Sequence, residues 1–273
     1  MSESFTPFRH HEIPTEHSLL REATPSLLEK NKNEWIQMFE KRLQQRFSSK
    51  DVQKGKLEEA SHTIATLVPH HTTTLSHFKK AVQNGFLRSA ADLKTTEDGA
   101  DMVRNTYDFD RRHGLDQYVF LRLGGKPFQM HKTEDMISLE FSADILDESD
   151  VLVSFQDFVF AAEAQKYDPS INAWSMYLKE TFKGGDYKKV LSYLIASEFE
   201  NAASFLESPK VSREFADIPA VRFITSSNIQ SEIKIPHALD VQKIQHIKIL
   251  SGATNLLSSI KELGYEDSKI SVV

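Results

Sequence analysis

Two stretches near the end of the chain alternate apolar and polar residues, Ile229–Pro236 and Ile244–Leu250. This period of two is typical of β-strands that place one face on an apolar core. A helical pattern extends from Phe158 to about Leu206, with breaks at Asp168-Pro169 and Gly184-Gly185. Further strand-like runs occur at 63–71, 117–123, 136–141, 151–155 and 220–225. Because strands flank the helical block without a regular βαβ repeat, the sequence predicts an α+β fold.

The chain is expected to consist of an N-terminal arm and helical extension at 1–62, too small to be a second domain, and one domain at 63–273. Prolines interrupt the polar first 25 residues, which is typical of a loosely docked arm. From Ser26 to about Phe47, apolar residues recur at helical spacing around Trp35, with lysines and arginines between them. Such a basic helix with an aromatic anchor fits calmodulin-type grooves. The pattern alone favours the alternative, a helix that packs on its own domain.

Composition excludes several chemistries. The 273 residues include no cysteine, so disulfide scaffolds, zinc–thiolate sites and cysteine nucleophiles are ruled out, and no metal site is expected. Glycine-rich phosphate loops and the common hydrolase motifs are absent. No apolar run approaches the roughly 20 residues of a membrane span. The formal net charge of −6, without a basic stripe, predicts that nucleic acid is not a partner.

Gln230 and Glu232 are the best catalytic candidates among the remaining polar residues. They are two positions apart on a predicted strand, so their side chains share a face. A carboxylate fixed beside an amide can stabilise the positive charge that develops on a sugar during glycosyl transfer. The alternative is that Glu232 and Lys234 form the solvated face of an edge strand, and periodicity alone favours it.

Two further groups are candidates for ligand binding. His70 and His71 lie where a predicted strand ends, and Thr72 opens the following capped helix, Leu75 to Asn84, which Gly85 closes. Tyr118 and Phe120 share one face of a predicted strand, where an aromatic ring either fills the core or stacks on a flat heterocycle. For both groups the structural role is the more common one.

Three motifs in this order resemble the ADP-ribosyltransferase fold. They are a strand followed by His-His-Thr, a helix and Gly-Phe-Leu; then Asp-Gln-Tyr-Val-Phe-Leu; then Gln-Ser-Glu-Ile-Lys-Ile-Pro-His. Enzymes of this fold bind NAD in a cleft between two small sheets, and a glutamate on a late strand is their signature. The resemblance therefore implies a split two-sheet core at 63–273, preceded by the helical extension, with NAD as substrate.

Within that fold the sequence is most similar to the OspC/CopC group of type III secretion effectors. This resemblance implies that Glu232 is the catalytic carboxylate and that Asp157 receives the target arginine. It also implies that Tyr118 or Phe120 stacks near the nicotinamide. The remaining residues that would hold NAD are His70, His71, Thr72 and Gln230.

The same resemblance implies a bacterial effector, secreted into the cytoplasm of a host cell, that transfers ADP-ribose from NAD to an arginine of a host protein, with ADP-riboxanation. Another acceptor residue or target, ubiquitin included, is the alternative. Because known members depend on host calmodulin, binding of calmodulin through the Trp35 helix becomes as well supported as packing on the chain itself. Two other classes remain open: a non-catalytic interaction protein, and an RNA phosphotransferase of related fold, which the acidic charge disfavours.

Overall fold

A computed structural model describes residues 18–94, 107–123, 135–158, 162, 165–166, 168–170, 172–207 and 231–273. Within these ranges helices and a mixed sheet are both present, and the strands do not alternate regularly with helices along the chain. The predicted α+β class is therefore confirmed. No helix in the described ranges combines the length and the apolar character that crossing a bilayer requires.

The described strands form one large sheet and one two-stranded ribbon. Their bounds are β1 Pro69–Thr74, β2 Phe86–Arg88, β3 Tyr118–Leu123, β4 Met136–Phe141, β5 Leu152–Ser154, β6 Thr181–Lys183, β7 Ser231–Pro236, β8 Ala238–Asp240, β9 Ile244–Ile249 and β10 Ile270–Val272. The large sheet has eight strands in the order β10-β9-β4-β1-β3-β7-β5-β6, and β2 pairs with β8. All its neighbouring pairs are antiparallel except β9 with β10.

The large sheet is forked at its centre. β1 and β3 are joined by two register pairs, Pro69 with Leu123 and His70 with Arg122. Beyond His70, β1 continues along β4 as far as Thr74, and β3 continues along β7 as far as Tyr118. The fork therefore divides the sheet into two four-stranded halves, which matches the split core that the sequence resemblance implies.

The described helices lie mainly against one face of the large sheet. Their bounds are α1 Leu19–Glu22, α2 Pro25–Arg46, α3 Lys50–Ala65, α4 Leu75–Asn84, α5 Ala90–Lys94, α6 Tyr107–Arg112, α7 Ala173–Lys179, α8 Gly184–Glu198, α9 Ala202–Glu207 and α10 Thr254–Glu262. Short 3-10 helices occupy Leu115–Gln117, Ala143–Asp147, Val241–Lys243 and Asp267–Lys269.

One face of the sheet is apolar and carries the main core. Directly paired residues lie on the same face, so the alternation in each strand sorts side chains consistently across the sheet. Buried side chains of α2, α3, α4, α8 and α10 pack on this face. The sheet contributes Val119, Leu121, Ile137, Leu139, Val153, Ile233, Ile235 and Ile247. The polar residues of the same strands consequently lie on the opposite face.

Several predicted elements differ from the observed ones. The predicted strand at 63–71 is wrong over its first half, because α3 continues to Ala65 and buries Ile64 in the core. Pro69 begins β1 instead of ending a strand; the first position tolerates a residue that cannot donate to the ladder. The helical block is interrupted by β6, and Gly184-Gly185 begins α8 rather than forming a turn. The run at 220–225 lies outside the described residues.

The Trp35 helix packs on the chain itself, as the alternative to calmodulin binding expects, and calmodulin binding stays a prediction. The Trp35 ring stacks on Phe155 at a centroid distance of 5.0 Å and meets Phe182 edge-on at 5.8 Å. Trp35 is half-buried in these contacts. The division at residues 62 and 63 stays a prediction, although it falls inside α3, and α2 and α3 share one core with the sheet.

Candidate active site

A row of polar residues crosses the open face of the sheet, on the side opposite the main core. Each member is paired by register with the next, so all lie on one face. The row runs through β9, β4, β1, β3, β7, β5 and β6 as His246, Glu140, His70, Arg122, Glu232, Ser154 and Thr181. A sheet face that carries ionisable groups on five neighbouring strands is far more polar than a packing surface requires. This face is therefore the candidate site.

Glu232 lies in the middle of this row, on the half of the sheet beyond the fork. Its side chain is only 14% exposed. The Tyr177 hydroxyl donates a hydrogen bond to Glu232 Oε1 at 2.8 Å, and Lys234 Nζ lies 3.3 Å from the same oxygen. The edge-strand alternative does not fit this position, because β7 lies between β3 and β5 inside the sheet.

Lys234 is fully buried beside Glu232, which is unusual for an ammonium group. Its Nζ donates to Ser154 Oγ at 2.7 Å and lies 4.8 Å from the centre of the Tyr177 ring. Ser154 is hydrogen-bonded in turn to the Thr181 hydroxyl at 2.7 Å. The carboxylate is thus held by a connected polar network that spans the three strands β5, β6 and β7 and helix α7.

Burial sets the electrostatics of this network. It raises the pKa of Glu232, and the Lys234 ammonium opposes that shift while Asp157 adds to it. Burial likewise lowers the pKa of Lys234, and the charge of Glu232 opposes that shift. Burial and the neighbouring Glu232 raise the pKa of Tyr177 well above its usual value, so its hydroxyl remains a donor. Each charge is stabilised mainly by the other.

Asp157 lies close to Glu232, just beyond the end of β5. Its Oδ2 atom is 4.0 Å from Arg122 Nη2, and the two side chains are 29% and 35% exposed. Asp157 is close enough to contribute to the raised pKa of Glu232. The structure therefore brings together the two carboxylates that the sequence resemblance implies, with Arg122 beside them.

The three predicted residues of β1 divide between the two faces. His70 and Thr72 lie on the open face, and His70 is buried, which lowers the pKa of its ring. His71 belongs to the opposite face by alternation, yet its Nδ1 donates to the Phe120 carbonyl at 2.8 Å. This bond reaches across the fork just where the backbone ladder between β1 and β3 stops.

The aromatic candidates of β3 differ in exposure. Tyr118 is buried in a second apolar cluster with Phe158, Trp174 and Tyr177, so its ring fills the core. Phe120 is half-buried at the edge of the same cluster and lies opposite Lys234 in the register. Of the two, Phe120 is therefore the residue that can meet a ligand. Gln230 lies outside the described residues.

Four residues of the site were missed by sequence reasoning, namely Arg122, Ser154, Tyr177 and Lys234. The alternation of β3 and β7 is a signal for Arg122 and Lys234, since each is two positions from a predicted site residue. Tyr177 belongs to a helix far from β7 in the sequence, and only the tertiary structure brings its hydroxyl to Glu232. Among the described residues, no three histidines or acids are grouped so that they could hold a metal ion.

No protein-family model matches the chain, and no curated protein matches it. Solved structures with a similar chain path include Thermus sp. 2.9 DarT in complex with ADP-ribosylated ssDNA, at a TM-score of 0.43 and 13% identity, covering 77% of this chain and 94% of that one. The same DarT in complex with NAD+ gives a TM-score of 0.39 at 13% identity, covering 77% and 96%. Thermosipho africanus DarTG in complex with ADP-ribose gives 0.43 at 13% identity; 76% of this chain is matched to about half (49%) of that one.

The ligands in these structures are ADP-ribosylated ssDNA, ADP-ribose and NAD+, and none of the three is an OspC/CopC protein. The ssDNA complex conflicts with the prediction that nucleic acid is not a partner, and that prediction is withdrawn. That prediction depended on the net charge of −6, and a structure of similar chain path holds ADP-ribosylated ssDNA. A net charge summed over the whole chain does not describe one face of a sheet.

Proposed function

We propose that this chain transfers ADP-ribose from NAD to an acceptor, with Glu232 as the catalytic carboxylate. The observation that supports this function is the fixed carboxylate of Glu232 on the open face of a forked sheet, held by Tyr177 and Lys234. A preorganised negative charge stabilises positive charge that develops on a ribose while nicotinamide leaves.

The hydrogen-bond donors on the open face suit the pyrophosphate of NAD. Arg122 supplies a guanidinium next to Glu232 in the row, and His70 follows it on β1. A guanidinium binds the oxygens of a pyrophosphate through paired hydrogen bonds. The half-buried Phe120 ring lies between these polar groups and the aromatic cluster, where a flat ring could stack.

The acceptor that we propose is an arginine side chain of a host protein, with Asp157 as the residue that receives it. Asp157 already binds the guanidinium of Arg122, at 4.0 Å, on the exposed side of Glu232. A second guanidinium in this position would have its attacking nitrogen close to the catalytic carboxylate, ready to bond to the ribose carbon that nicotinamide leaves. Delivery of the protein into a host cell follows from the sequence resemblance and remains part of the proposal.

The test is incubation with biotinylated NAD and a eukaryotic lysate, with separate protein and single-stranded nucleic acid fractions. We expect labelled protein, and we expect Glu232→Gln to reduce labelling by about 100-fold or more. Glu148→Gln is the matched control, because Glu148 also pairs with a lysine, Lys243, away from the open face. Equal labelling by both variants would contradict the role of Glu232, and label confined to nucleic acid would contradict the protein acceptor.

The role of Asp157 has a separate readout. Asp157→Asn is expected to lower transfer to agmatine, a soluble guanidine, by about 10-fold or more, while NAD hydrolysis by water changes much less. The reason is that water needs no anionic group to bind it, whereas a guanidinium does. An equal loss of both reactions would mean that Asp157 acts on NAD and not on the acceptor.

A further inference from the structure

Lys234 is the residue in the site whose burial is hardest to explain by folding alone. Positions 233 and 235 of the same strand are isoleucines in the main core, and 234 faces the other way with no exposed surface. Burying an ammonium group costs several kcal/mol, and an apolar residue of similar size is often as good or better for stability. The burial of Lys234 is therefore to be explained by the groups that its ammonium contacts.

Those partners form a directional arrangement around Glu232. Ser154 holds Lys234 Nζ from one side, and the Tyr177 ring lies against it from another, so the ammonium position is fixed. Both Lys234 and the Tyr177 hydroxyl reach Glu232 Oε1. In the described part of the chain no hydrogen bond reaches Oε2, so one carboxylate oxygen is anchored and the other is left for a ligand.

We propose that Lys234 is a positioning residue, which anchors Oε1 of Glu232 and keeps the buried carboxylate ionised with Oε2 directed at the ribose of NAD. This inference depends on the proposed function, since it assigns a task at the same site. The charged and titratable groups that face Glu232 are Lys234 from its own strand, Arg122 from β3, Asp157 from the end of β5 and Tyr177 from α7. Among the described residues, Lys234 is the cation whose ammonium nitrogen forms an ion pair with this carboxylate, at 3.3 Å.

Lys234→Met tests the proposal, because methionine keeps the length of the side chain and removes the charge. Without the ammonium, burial and Asp157 both raise the pKa of Glu232, so the carboxyl should titrate at a higher pH, by about one unit or more. Transfer requires the ionised form, so the acidic limb of the kcat profile should move by the same amount to higher pH. The KM for NAD should change little.

The carboxyl titration is measured directly, by 13C NMR of protein labelled at the glutamate side-chain carboxyl, and the Glu232 signal is assigned by its absence from Glu232→Gln. Lys243→Met is the matched control, since Lys243 forms an exposed ion pair with Glu148 at 2.5 Å. A Glu232 signal that titrates at the same pH in Lys234→Met as in the wild type would overturn the proposal. A shifted signal in a protein that never consumes NAD would instead count against the proposed function.

If Lys234→Met does not fold, the double variant Lys234→Met/Glu232→Gln still tests the proposal. If Lys234 acts through Glu232, neutralising the glutamate removes the unpaired buried charge, and the double variant should unfold at a higher temperature than Lys234→Met. A double variant as unstable as the single one would show that Lys234 serves packing alone, and the proposal would be wrong.

Discussion

Glu180 is a second buried acid, and no cation among the described residues forms an ion pair with it. Its carboxyl accepts a hydrogen bond from the Gln156 amide, and the amide oxygen of Gln156 is buried without a hydrogen-bond partner among the described residues. Burial raises the pKa of Glu180 from near 4.5 to about 8. At neutral pH this side chain is therefore largely protonated, which lets it remain inside the protein.

This shift predicts a dependence of stability on pH. The native protein keeps the Glu180 proton up to about pH 8, whereas the unfolded chain releases it near pH 4.5. Because the native state binds more protons in that window, the free energy of unfolding should fall as pH rises from about 5 to 8. Glu180→Gln should remove this part of the slope and be more stable than the wild type at pH 8, by about 1–3 kcal/mol.

Urea unfolding at several pH values measures the effect of Glu180→Gln. Glu262→Gln makes the same chemical change at an exposed position of α10 and should leave the pH slope as it is. Parallel curves for Glu180→Gln and the wild type from pH 5 to pH 8 would contradict the buried, protonated state of Glu180.

At the scale of elements, helix α2 is held by Trp35. The ring contacts Phe39 of its own helix, Phe155 directly after β5, and Phe182 within β6. Trp35→Ala should lower the free energy of unfolding by about 2–3 kcal/mol, less than the roughly 3–5 of a fully buried tryptophan, because Trp35 is half-buried. Trp35→Phe keeps an aromatic ring and should lose less than half as much. Chemical denaturation measures the free energy of unfolding of both variants. An alanine variant as stable as the wild type would contradict the packing of α2 on the core through Trp35.

The elements that the sequence predicted well are those with a local signal. Helix α4 was predicted with its correct bounds, because Thr74 caps its first turn and Gly85 adopts the left-handed conformation at its end. The strands β4 and β9 follow from their alternation. By contrast, β6 is three residues long between two helices, and only its pairing with β5 makes it a strand. No local pattern contains that information.

The same distinction applies to the site. Asp157 came from a family resemblance alone, whereas Glu232 was also a candidate from its position on a predicted strand. The structure places the two near each other without testing their roles. Strand periodicity could have singled out Lys234, but a lysine in an alternating strand is usually solvated, and its burial depends on Tyr177 and Ser154. Burial of a charge is a property of the tertiary structure, so the burial of Lys234 could not be predicted from the sequence.

At the scale of the whole molecule, the N-terminal helices and the sheet share one core. Phe39 and Leu43 of α2 and Ala60 and Ile64 of α3 belong to the same buried cluster as the sheet. A chain of residues 63–273 would lose Phe39, Leu43 and Ala60 and would begin within the last turn of α3. We expect it to lack a cooperative unfolding transition in circular dichroism, where the full chain shows one. A cooperative transition at the midpoint of the full chain would instead establish residue 63 as a true domain boundary.

The pairing of Glu232 and Lys234 also bears on how the central strand finds its place. A slip of β7 by one residue would turn Ile233 and Ile235 to the open face and force both charges into the apolar core beneath α8. The correct register is the one in which the two charges meet each other, Ser154 and Tyr177. The pair that prepares the site for chemistry thus also penalises misaligned strands during folding, so variants that neutralise it should be examined for strand misregistration as well as for lost activity.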